Sequence, residues 1–146
     1  MLKSLIGGLA GAIALNLIHQ LVKKVDPDAP QIDKIGEEAL SETMLAAGQT
    51  PPEGKALFNA TLASDIAANT IYYSLIGCGS RKHLLRRGVM MGAAAGIGAL
   101  TLTKPLGLDD EPVNKTSKTQ AMTVGWYLLG GVVAALTIDA LGKNKK

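Results

Sequence analysis

A chain of 146 residues has the length of one domain. Its hydrophobic fraction of 47% is ordinary, but aromatics make up only 3% and glycine supplies 17 residues, a composition that builds a poor core in water. The formal charge of +3 does not point to nucleic acid, because the basic residues gather at the edges of apolar stretches, and a single cysteine excludes an internal disulfide.

Four stretches, residues 4–22, 56–80, 88–103 and 119–138, are apolar, rich in Gly and Ala, and nearly free of Asp, Glu, Lys and Arg. A membrane-crossing helix needs about 20 mostly apolar residues. The pattern predicts one domain over residues 1–146: an all-α integral membrane protein with four transmembrane helices in a compact bundle. Small residues suit that setting, because they let helix backbones approach closely in lipid.

The first stretch lies between Lys3 and Lys23. Its triplet Ala12-Ile13-Ala14 resembles a signal-peptidase site, but the triplet sits inside the apolar run where a cleavage site would follow it. The segment is therefore expected to be retained as a span. Gly7 and Gly11 stand four residues apart on one face of it, and Asn16, His19 and Gln20 share a face further along.

Residues 26–55 form the longest connection. Asp26-Pro27-Asp28-Ala29-Pro30 stops the first span. Ile32, Ile35, Ala39, Thr43 and Ala47 then recur at helical spacing and predict a short amphipathic helix over about 31–47. Gly48 is a candidate stop, and Thr50-Pro51-Pro52 leads to the next helix. This helix is expected either to lie on the membrane surface or to pack on the loops.

The second stretch carries the one deeply placed acid, Asp65, with Asn59, Thr61 and Asn69 nearby. Thr61, Asp65 and Asn69 share a face, and Tyr72 extends it. Cys78, between Gly77 and Gly79, has neither a second thiol nor a clear base beside it and is expected to be inert. The third stretch holds Gly88, Gly92 and Gly96, two overlapping Gly-x-x-x-Gly steps. It leads to Thr101, Lys104 and the acidic run Asp109-Asp110-Glu111, which lacks the ligand spacing of a calcium loop. The fourth stretch adds Gly125, Gly130 and Gly131, with Trp126 and Tyr127 expected near a membrane edge.

Four spans place both termini on one side. Lys3, Arg81, Lys82, Arg86, Arg87, Lys143, Lys145 and Lys146 fall there, and the density of the link Ser80–Arg87 and of the tail puts that side in the cytoplasm. The expected location is the plasma (inner) membrane, multi-pass. The same topology brings Asn16, His19, Asn59, Asp65, Asn69, Thr101 and Lys104 to one depth as a polar cluster. An acid at bilayer depth is a functional candidate, since it is costly unless paired, protonated or hydrated. His19 beside Asp65 would suit proton transfer, because His titrates near neutrality. Hydrogen-bonded glue between helices is the simpler role.

No Gly-x-Ser-x-Gly, phosphate-binding loop, dinucleotide fingerprint or zinc-protease helix is present. The expected function is structural or accessory, through helix packing and assembly with other membrane components. A small transporter or channel using Asp65 and His19 is the second reading, and a membrane enzyme acting on a lipid or headgroup the third. No cofactor, metal or nucleic acid is expected. The expected partners are the lipid bilayer and a second copy or other membrane proteins.

Overall fold

The computed structural model describes residues 1–143 and is all-helical, with no strand among the described residues. Lys145 and Lys146 of the basic tail lie outside them. The helices are α1 (Leu2–Val22), α2 (Ile32–Ala46), α3 (Gly54–Ser74), α4 (Leu84–Thr101), the single turn α5 (Glu111–Asn114) and α6 (Ser117–Lys143). Two of them, α1 and α6, are long and apolar enough to cross a membrane.

The breaks between helices have local causes. Gly48 adopts φ 73°, the left-handed geometry that ends α2, and Gly107 adopts φ 83° after α4. The apolar stretch that runs on to Ser80 is not helical throughout. α3 stops at Ser74 and tightens into a 3-10 turn over Leu75–Gly77. There the Arg87 Nε donates to the Ile76 carbonyl at 2.8 Å, holding a carbonyl that the helix no longer uses. α4 starts at Leu84, so Arg86 and Arg87 belong to its first turn rather than to the link.

The long helices pack with α6 between α1 and α4, and with α3 on the other flank of α1. Neighbours run antiparallel. The start of α1 meets the end of α6, where Lys3 Nζ donates to the Leu141 carbonyl at 2.6 Å. The same end holds the Arg81–Arg87 segment, with Arg81 paired to Asp139 at 3.1 Å. At the opposite end Lys118 pairs with Asp26 at 2.7 Å, Thr119 donates to the Asp28 carbonyl at 2.8 Å, and the Gln31 N–H donates to the Pro112 carbonyl at 2.9 Å. α2 folds back at this end and packs along α3.

Glycines set the closeness of α4 to α6. A Cβ on Gly92 would stand 2.7 Å from the Tyr127 carbonyl oxygen and 2.8 Å from the Leu128 Cα. One on Gly96 would stand 2.7 Å from the Val124 Cα. Gly88 lies against the Gly131 carbonyl, Gly7 against Ile138 and Ala134, and Gly11 against Gly130 and Ala134. All these glycines are buried against helices of this same chain. α3 lies further from α4 and α6 and reaches them through rings. The Tyr73 hydroxyl donates to the Tyr127 carbonyl at 2.8 Å, and the Tyr72 hydroxyl donates to the Met91 carbonyl at 2.9 Å. Tyr72 thus points away from the polar stripe that it extends in the sequence.

Small and large residues share the interior, and many large aliphatic ones lie outside it. Ala12, Ala134, Tyr73 and Ile76 are fully buried, whereas Leu17, Ile71 and Leu136 are each more than half exposed, at 58%, 63% and 56%. Along α1 the exposed residues Leu2, Leu5, Ile6, Leu9, Ile13, Leu17 and Leu21 make a continuous outer stripe. The buried ones are Gly7, Gly8, Gly11, Ala12, Leu15 and His19.

Candidate functional site

The polar residues of α1 and α3 meet near the α2 end. Asn16 and His19 are three residues apart on α1, and Thr61, Asp65 and Asn69 are four apart on α3, so each set faces the neighbouring helix. The Asn16 amide donates to one Asp65 oxygen at 2.8 Å, and the Asn69 amide donates to the other at 2.9 Å. Both amides also return to their own helix, to the Ala12 carbonyl and to the Asp65 carbonyl, each at 3.0 Å. These second bonds fix the amide orientation, so Asp65 is held by two aligned neutral donors and by no cation.

α2 completes the site. Asp33, in its first turn, pairs with Lys23 through one carboxylate oxygen. The other oxygen lies 3.7 Å from His19 Nε2, too far for a direct hydrogen bond. Gly36, one turn on, lets α2 settle onto Thr61, whose methyl would stand 2.7 Å from a Cβ at that position. The result is a partly open void of about 20 Å³ lined by Asn16, His19, Asp33, Gly36, Thr61 and Asp65, among others. That is room for about one water molecule. His19 and Thr61 are buried, at 3% and 4% exposure. His19 Nε2, the facing Asp33 oxygen and the Thr61 hydroxyl are all without a hydrogen-bond partner. Beside the void runs an open groove of about 290 Å³ between α2 and α3, and Gly36, Thr61 and Asp65 border both.

Asn16, His19, Asp65 and Asn69 therefore come together, and three other candidates do not. Asn59 is exposed on α3. Thr101 is exposed and returns its hydroxyl to the Ile97 carbonyl at 2.9 Å, and Lys104 is exposed in the turn after α4. The reason is the packing order. α4 lies beyond α6 from α1, so equal depth does not bring its end to the α1–α3 interface. Asp33 is the residue that sequence reasoning missed. It lies in a loop helix, and only the fold-back of α2 puts it beside His19.

Elsewhere, the acidic run Asp109–Glu111 is used locally. The Asp109 N–H donates to Glu38 of α2 at 2.9 Å, the Glu111 N–H to Asp109 at 3.0 Å, and the Asn114 amide to Asp110 at 3.2 Å. No group of three or more His, Cys, Asp or Glu suited to a metal occurs among the described residues. Trp126 packs half-buried against the core with its indole N–H unpartnered. Ion pairs bracket the molecule at both ends. At the α2 end the Lys118 ammonium holds the Asp26 carboxyl below its ordinary range, and that pairing raises Lys118 in turn. At the other end Lys143, then Arg81, lower Asp139.

Compared with protein-family models, with curated proteins and with solved structures, the chain matches none.

Proposed function

We propose that the chain is a small integral membrane protein of structural or accessory type, in which α1, α3, α4 and α6 each cross the bilayer. The observation that carries this reading is the set of exposed large aliphatic residues on helices whose mutual contacts are lined by Gly and Ala. Water would drive Leu17, Ile71 and Leu136 inward, at about 25 cal/mol per Å² of apolar surface. Lipid exerts no such drive, and small residues then win the helix contacts because backbones pack closest through them. The stripe of leucines and isoleucines along α1 meets acyl chains, and the Gly and Ala faces meet each other.

The spans are α1 (Leu2–Val22), α3 (Gly54–Ser74), α4 (Leu84–Thr101) and α6 (Ser117–Lys143). The end carrying Lys3, the Arg81–Arg87 segment and Lys143 faces the cytoplasm of a plasma membrane, since basic residues concentrate there. The glycine faces are spent within the chain, so assembly with other membrane components uses the outer leucine-rich surfaces.

Cys78 gives a direct test, being the single cysteine and exposed beside the basic segment. A membrane-impermeant maleimide should label it only after cells are permeabilised. In a Cys78→Ser background, Gln49→Cys in the loop after α2 should be labelled in intact cells. Equal labelling of both positions in intact cells, or a purified chain that stays monodisperse without detergent, would refute the reading.

A further inference from the structure

In the void between α1, α2 and α3 a ring nitrogen of His19 faces a carboxylate oxygen of Asp33, and neither has a partner. The Pro30 carbonyl stands beside the His19 ring. A ring that turns one N–H to that carbonyl keeps a lone pair on Nε2. That lone pair faces the free oxygen of Asp33 at 3.7 Å. A buried donor or acceptor left unpaired is costly, and two acceptors face to face also repel.

Burial of the His19 ring opposes a charge on it, the Asp33 and Asp65 carboxyls work against that cost, and Lys23 at the end of α1 adds to it. The pocket of about 20 Å³ holds a water-sized guest.

We propose that this void is a proton-binding site, in which a proton taken from water onto His19 Nε2 turns the His19–Asp33 confrontation into a charge-assisted hydrogen bond. Asp33 accepts, Lys23 keeps the other carboxylate oxygen, and the Thr61 hydroxyl is left to orient a water at the edge. The groove between α2 and α3 is the solvent route, because it shares Gly36, Thr61 and Asp65 with the void. Binding the proton clamps α2 onto the ends of α1 and α3. The site depends on these contacts alone and stands whether or not the helices cross a bilayer.

The test follows the His19 ring by NMR in the full chain, solubilised in detergent, over a range of pH. His83→Gln leaves His19 as the sole histidine and touches no residue of the void. Asp33→Asn should make His19 bind its proton about tenfold more weakly, as loss of a nearby opposite charge does. Lys23→Met should act in the opposite direction, by about threefold to tenfold. It also leaves the proposal testable if Asp33→Asn fails to fold. In the parent chain, the protection of α2 amides against exchange, corrected for the intrinsic pH dependence of exchange, should rise as the proton binds. Proton binding unchanged within about twofold in the folded variants would overturn the proposal. So would movement of the His19 resonances by sodium or ammonium at fixed pH, which would make a small cation the guest.

Discussion

Asp65 shows how a carboxyl group is kept at a helix interface by neutral donors. Its two oxygens accept from Asn16 and Asn69, and each amide is locked by a bond to a backbone carbonyl. Asp65→Ala removes one acceptor from each amide and should destabilise the chain by about 1–3 kcal/mol in detergent unfolding. Asp65→Asn keeps the shape but turns one amide against another, and should recover part of that loss. Tyr73→Phe removes a single buried bond to the Tyr127 carbonyl and should cost about 0.5–1.5 kcal/mol. Asn16, Asp65 and Asn69 were all legible in the sequence, since helical spacing alone puts them on facing stripes. Asp33 was not, because nothing local to residues 26–55 states how α2 folds back.

Helices here are spaced by what stands at their contacts. α4 and α6 touch backbone to backbone through Gly88, Gly92, Gly96 and Gly131, whereas α3 stands off from α4 and α6 and is bridged by Tyr72 and Tyr73. The two kinds of contact respond differently to an added methyl. Gly92→Ala places a Cβ within 2.8 Å of α6 backbone, which no side-chain rotation relieves. It should cost about 1–3 kcal/mol by overpacking. Gly125→Ala meets nothing within 4 Å and sits inside α6, so it should be neutral or stabilising by up to about 1 kcal/mol through helix propensity. Thermal unfolding of both variants in one detergent checks the contrast. The glycine spacing was plain in the sequence, but which helix each glycine faces was not. A Gly-x-x-x-Gly step states a close contact and leaves the partner unnamed.

At the scale of the molecule, ion pairs tie the ends of the helices together and set a pH window. Asp26 is held below its ordinary value of 3.8 by Lys118. Its contribution to stability is therefore present above that value and lost as pH falls through the lowered one. Lys118 is raised above its ordinary 10.5, so its contribution is present below that value and lost as pH rises through the raised one. The stability difference between the parent and Lys118→Met should stay flat from about pH 5 to pH 9 and shrink in acid and in strong base. The pair is exposed, so the difference should also shrink in high salt. A difference that keeps growing below pH 4 would mean that the tether does not form in solution.

The sequence by itself determined what the helices are made of. Apolar runs long enough for helices, glycines at four-residue intervals and charges gathered mostly at the ends of those runs dictate helices with small faces, because periodicity and composition are local properties. Only the tertiary structure decided the packing order, with α6 between α1 and α4, and the seating of α2 on α3. That order scattered Thr101 and Lys104 away from Asp65 and brought Asp33 to His19. The physical reason is that several pairings of glycine-faced helices satisfy the same local pattern. The choice among them rests on contacts that exist only once every helix is in place.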